Sequence, residues 1–170
     1  HEEKLDYRKE KDYDVILFGC HRIGSIILKN LLKLKKKVLV VDYDPSVIKD
    51  LMDEKKDCMY GDVINDEILR KIDFNKAKAV ILTIPDNKDS LFLLQYAKKK
   101  NPNIHIILTS TYIREALTLY DKKADYVIVP RVMAAECFLP LLKDIIKGRR
   151  KSKVRNEHIN QLLSIKVYGD

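Results

Sequence analysis

The chain has 170 residues, 46% of them apolar, which suits one domain with a real core and a short appendage. No apolar run approaches the roughly 20 residues of a helical membrane span, and three cysteines (Cys20, Cys58, Cys137) and four histidines (His1, His21, His105, His158) lie too far apart to suggest a metal site. The net charge of +8 raises nucleic acid as a partner, but the lysines at 35–37, 55–56, 98–100 and 122–123 fall where helices should end and complement their dipoles, so no nucleic-acid partner is expected.

Residues 1–12 mix both charges, with only Leu5 and Tyr7 apolar, and read as a linker from a preceding segment. Residues 14–19 form a short apolar run, read as a buried strand, that ends in Gly19-Cys20-His21-Arg22-Ile23-Gly24. A helix is predicted at once over 22–34, with Ile23, Ile26, Ile27, Leu31 and Leu34 on one stripe. The next strand, 37–42, closes on Asp42, eighteen residues after Gly24. Strand, glycine turn, helix, strand and acid are the parts of a nucleotide-binding half-fold with one glycine missing. Gly19 permits a sharp turn and Gly24 a close helix–strand approach. The helix N-terminus offers N–H groups and a positive dipole end to a phosphate, and Asp42 stands where a carboxylate accepts ribose hydroxyls. Cys20, at the same helix start, is either a thiol activated there or an inert buried one; the latter is expected.

Asp44 and Pro45 should cap and begin the next helix, burying Val47, Ile48, Leu51 and Met52. A short strand 58–60 leads to Gly61-Asp62, and Asn65 should cap a brief helix carrying Ile68, Leu69 and Ile72. Strand 79–84, helix 88–100, strand 104–109, helix 112–120 and strand 126–129 complete six strands without strict alternation, as in a parallel sheet covered on both faces. The expected fold is α/β: a Rossmann-like doubly wound sheet of six strands in order 3-2-1-4-5-6, with the ligand crevice between the first and fourth strands. The final helix, 131–147, is apolar almost all round and should bury a second face against something outside its own sheet, with Pro140 kinking or breaking it. Homodimerisation through this helix is the expectation. The basic run Arg149, Arg150, Lys151, Lys153 and Arg155 belongs to a tail, 148–170, that is solvated or lies near acidic headgroups.

Taken together these residues resemble the regulatory domain of potassium transport and conductance proteins, known as RCK, KTN or TrkA-N, over most of the chain. Residues 19–24 are similar to its Gly-x-Gly-Arg-x-Gly turn, Val41-Asp42-Tyr43-Asp44-Pro45 to its second-strand acid and Tyr60-Gly61-Asp62 to its third-strand Gly-Asp. Leu82-Thr83-Ile84-Pro85-Asp86 and the stretch Ala124 to Pro130 resemble the form fused to Kef-like cation/proton antiporters. The resemblance implies a nucleotide-binding domain over 13–147, at the cytoplasmic face of the cell membrane, that dimerises and regulates a membrane transport domain, expected in the same full-length chain. A potassium channel or uptake system is the second reading. By position, Arg22 and the turn (Gly19, Cys20, His21, Ile23, Gly24) would hold phosphate, Asp42 with Tyr43 beside it the ribose, Asp62 after Gly61 the adenine edge, while Thr83 lies against the ligand. Three departures stand out: His21 for the middle glycine, Lys123 for a glycine before Ala-Asp, and Ser90 for an asparagine. His21 intrudes on the path of a dinucleotide, so AMP or ADP is favoured, with NAD(H) as the alternative.

Read singly, Asp42 is equally a strand-end carboxylate, and Asp62 a turn residue or N-cap. Tyr96-x-x-x-Lys100 has the spacing of a short-chain dehydrogenase pair, but no partnering serine is evident and too little chain follows Pro130 for a substrate domain. No catalysis is expected.

Overall fold

The computed structural model describes residues 5–169. Its elements are β1 (Asp6–Tyr7), β2 (Val15–Phe18), α1 (Arg22–Lys33), β3 (Val38–Asp42), α2 (Pro45–Asp53), β4 (Cys58–Tyr60), α3 (Asp66–Arg70), β5 (Ala79–Leu82), α4 (Asn87–Lys100), β6 (His105–Thr109), α5 (Ile113–Asp121), β7 (Tyr126–Ile128), α6 (Pro130–Ile146) and α7 (Lys151–Leu163). The strands form one sheet in the order β1-β4-β3-β2-β5-β6-β7. Without β1 this is the doubly wound order expected from the sequence. All pairs are parallel except β1 with β4.

The expected sheet of six strands therefore gains a seventh. Asp6–Tyr7 pairs antiparallel with Met59 and Cys58, inside the stretch read as linker. A two-residue strand has no pattern to find in sequence. What ties this stretch down is the buried Asp57, whose Oδ2 accepts from the N–H groups of Lys9 (2.9 Å) and Glu10 (3.1 Å) and from the Tyr13 hydroxyl (2.7 Å).

Every residue of β2 and β3 is buried, and alternate side chains divide between two cores. Ile16, Phe18, Leu39 and Val41 join one cluster with α3, α4 and α5 through Leu69, Leu93, Leu94, Ala97, Ala116 and Leu119. Val15, Leu17, Val38 and Val40 join the other, with Leu28 of α1 and Val47, Ile48 and Leu51 of α2. Asp44 caps α2 and Asn65 caps α3 as expected, and Asp86 caps α4. The lysine-rich helix ends have a backbone role too. Lys35, Lys55 and Lys123 each adopt a left-handed φ, of 56°, 56° and 78°. At each site the following N–H reaches back five residues (Lys36 to Leu31, Lys56 to Leu51, Ala124 to Leu119) and closes a Schellman turn. Lysine thus stands where glycine is the usual residue.

Pro140 does not break α6, which runs unbroken from Pro130 to Ile146. Gly148, at φ 93°, ends it. Of the basic run in the tail, Lys151, Lys153 and Arg155 lie in α7, and residues 165–169 fold back onto α1 and α2, where Tyr168 is buried. That return leaves α6 uncovered: none of its residues is buried.

Candidate functional site

The expected crevice opens at the C-terminal ends of β2 and β5, where the strand order reverses. β2 ends at Phe18 and the chain turns at Gly19 with φ 89°; a Cβ there would lie 2.3 Å from Thr83 Oγ1. A Cβ on Gly24 would lie 2.0 Å from the Gly19 carbonyl oxygen, so the first turn of α1 packs directly on the loop that precedes it. Both glycines are therefore required by close approach. The Thr83 hydroxyl donates to the Gly19 carbonyl (2.9 Å), fixing the turn to β5. His21 occupies the N-cap position of α1 without a side-chain cap bond, unlike Asp44, Asn65 and Asp86 on α2, α3 and α4. The start of α1 thus keeps its N–H groups from a side-chain cap, as an anion site requires.

Asp42 is only 6% exposed and has two backbone partners. Its Oδ2 accepts from Cys20 N–H (2.8 Å) and its Oδ1 from Asp44 N–H (2.9 Å). The carboxylate staples the turn to the start of α2, and each oxygen keeps a further lone pair. Burial raises its pKa, against the lowering effect of these two N–H groups. Asp44 behaves oppositely: the Ser46 hydroxyl and N–H hold its carboxyl below the usual range. On the far wall, Thr109 Oγ1 donates to the Leu82 carbonyl (2.8 Å), joining the ends of β5 and β6.

The resulting crevice has a volume of about 510 Å³. Of the residues singled out from sequence, Gly19, His21, Arg22, Ile23, Asp42, Tyr43 and Thr83 line it. Residues 15–130 match the TrkA-N domain. This chain belongs to the TrkA-N family.

The TrkA-N domains are regulatory and non-catalytic. Among curated relatives, the chain is 26% identical over 131 residues to potassium channel protein 1 of Methanocaldococcus jannaschii (76% of this chain, 39% of that protein). It is 27% identical over 146 residues to the putative cation/proton antiporter YbaL of Escherichia coli (84% and 26%). The chain thus spans well under half the length of either. The TrkA-N domain of E. coli ybaL superposes with a TM-score of 0.72 at 26% identity, covering 78% of this chain and 99% of that one. The Kef CTD of Shewanella denitrificans, in its AMP-bound form, superposes at 0.64 with 20% identity (88% and 89%). The GsuK channel bound to NAD superposes at 0.60 with 17% identity (73% and 22%).

Four of the expected site residues of this TrkA-N domain do not line the crevice. Cys20 is fully buried, and burial, with the neighbouring Asp42 charge, pushes its thiol up to about 12, the opposite of activation at a helix start. Gly24 lies beneath the turn. Gly61 donates its N–H to the Asp42 carbonyl (3.0 Å), and a Cβ there would meet Ile68 Cγ2 at 2.5 Å. Asp62 accepts from Ile64 N–H (3.2 Å) as a turn residue. Conversely, Asp44, Val47, Ile84, Pro85, Thr109, Thr111 and Pro130 line the crevice without having been singled out for it. Their one sequence signal was position, just past the ends of successive parallel strands. Tyr96 packs edge-on to Phe74 (5.6 Å) with Lys100 over its ring (5.6 Å); neither lines the crevice.

Proposed function

We propose that this TrkA-N domain is the cytosolic nucleotide sensor of a membrane cation/proton antiporter that lies in the same full-length chain, and that AMP or ADP is its preferred ligand. The observation that carries the reading is the convergence, on one crevice, of an N-terminal helix end without a side-chain cap, a glycine turn and a buried carboxylate. In this reading the turn and Arg22 hold a phosphate, and Asp42 accepts ribose hydroxyls on its remaining lone pairs. Similarity to the antiporter YbaL over most of the chain and to an AMP-bound Kef domain supports this choice. The potassium-channel relative supports the second reading, a channel or uptake-system regulator.

His21 sets the ligand preference. In a dinucleotide site the backbone at this position must approach the pyrophosphate closely, and here an imidazole lines the crevice instead. The side chain intrudes on the path from the first phosphate to the second nucleoside; AMP and ADP, which carry no second nucleoside, retain the phosphate and ribose contacts. Competition calorimetry with AMP, ADP, NAD and NADH tests this. AMP is expected to bind more tightly than NADH, and His21→Gly to improve NADH affinity without improving that for AMP. NADH displacing AMP from the wild type at equal concentration would refute the histidine's role.

The sensor acts as a homodimer in this reading, with α6 as the contact. Val132, Phe138, Leu139 and Leu142 are each more than a third exposed, an apolar surface that needs a partner. Signal output passes through this helix to the transport domain. Among the described residues no helix is long and apolar enough to cross a membrane, so the transport function is assigned to a separate part of the chain.

A further inference from the structure

We propose that residues 164–169 form a nucleotide-linked strap: occupancy of the crevice and docking of this segment on α1 and α2 strengthen one another. The inference rests on the nucleotide reading above and adds a means by which binding reaches the α6–α7 arm.

The strap is held at both ends and in the middle. Lys29 of α1 donates from Nζ to the Ser164 carbonyl and hydroxyl (2.8 Å each). Tyr168 is 4% exposed and lies in the core cluster of α1 and α2, its hydroxyl donating to Glu54 (2.9 Å). Gly169 N–H donates to Asp50 of α2 (2.9 Å). The strap therefore bridges the two helices whose N-termini flank the crevice.

Its contacts lead straight to the site. Tyr168 N–H donates to Ser25 Oγ (3.5 Å), and Ser25 Oγ is in hydrogen-bonding contact with the carbonyls of Cys20 and His21 in the phosphate turn. Gly169 packs on the first turn of α2: a Cβ there would lie 2.7 Å from Val47 and 3.6 Å from Asp44, both crevice residues. A docked strap thus fixes the turn and the start of α2 relative to each other, the arrangement that a bound nucleotide requires. Since α6 and α7 bury no residue of their own, strap docking also governs where the arm is held. Coupling between two binding equilibria is reciprocal, so a nucleotide must favour the docked strap by the same factor.

The test compares the 170-residue protein with Tyr168→Ala, which removes the anchor, and Gly169→Val, which drives a side chain into Val47 while leaving every core residue intact. AMP affinity by calorimetry is expected to fall about five- to tenfold in both. Saturating AMP is expected to slow hydrogen exchange of the Tyr168 and Gly169 amides in the wild type by a similar factor. Unchanged affinity in both variants with unchanged exchange overturns the proposal, as does tighter AMP binding by the variants. If the wild type binds no nucleotide, the nucleotide reading fails by itself. The ligand-free exchange of Cys20 and Ser25 amides then decides the strap: faster exchange in Tyr168→Ala upholds its hold on the turn, and equal exchange removes it.

Discussion

Helices α4 and α6 invert the usual relation between composition and burial. α4 carries five lysine or aspartate side chains in fourteen residues, yet buries Ser90, Leu93, Leu94 and Ala97. α6 is predominantly apolar over seventeen residues and buries none. The difference lies in what each faces. α4 lies against the central strands of a doubly wound sheet, so one stripe suffices to seal it. α6 leaves the edge strand β7 and has no sheet beneath it. Burial in this molecule follows topology, and α6 is left as an apolar surface that the lobe itself does not cover.

The largest effect that would sharpen this contrast is on assembly. Wild-type protein is expected to sediment as a dimer at micromolar concentration. Phe138→Asp with Leu142→Asp should leave a folded monomer, weakening association about a millionfold, since the homodimer loses both side chains from each protomer at roughly 2 kcal/mol per interface hot spot. A wild-type monomer would break the comparison outright. The mirror experiment is on α4: Leu93→Ala, in the sealed core, should cost about 2–5 kcal/mol of stability in urea unfolding. Phe138→Ala, measured where the protein is monomeric, should cost less than about 0.5 kcal/mol.

The crevice is the second open surface, and Asp42 is the buried carboxylate that joins the glycine turn to the start of α2. A hydrogen bond to a charged group contributes about 1.5–3 kcal/mol, so Asp42→Ala should weaken AMP binding by roughly tenfold to a hundredfold in calorimetry. The variant should also lose stability, because the N–H groups of Cys20 and Asp44 lose their acceptor. Full AMP affinity in a folded variant would remove Asp42 from the site.

Thiol chemistry reads the same division between sealed and open regions. Cys20 and Cys58 are buried, and burial pushes both thiols up to about 12, while Cys137 on α6 is exposed. Alkylation at pH 8 should therefore modify one thiol of three in the native protein and all three after denaturation. A further small effect concerns a helix end. Lys123 holds a left-handed φ of 78°, so Lys123→Gly should raise stability by about 0.5–1 kcal/mol, net of the entropy glycine adds to the unfolded chain.

Much of this was legible because the signals were local. Gly19, Gly24 and Asp42 stood at the spacing of a nucleotide-binding half-fold, and Asp44 and Asn65 announced their helices as caps. The apolar runs 14–19 and 37–42 became the central strands because alternate side chains seal both faces. Other features had no local signature. Asp57 reads as one more surface acid in a lysine-rich turn until the chain folds and the Lys9, Glu10 and Tyr13 donors converge on it. Gly61 and Asp62 stood out as a Gly-Asp pair, and only the fold shows that Ile68 fills the space beside Gly61 and that one Asp62 oxygen accepts a turn N–H.

By itself, the sequence determined the order of the six parallel strands, the position of the crevice and the excess apolar surface of α6. These follow from hydrophobic period, turn residues and the handedness of parallel connections, all of which act over short stretches of chain. Only the tertiary structure decided that Thr109, Thr111 and Pro130 share a crevice with Gly19, and that Tyr168 closes the outer face of α1 and α2. Those contacts join residues up to 143 positions apart, and no pattern along the chain encodes a meeting that depends on how the layers stack.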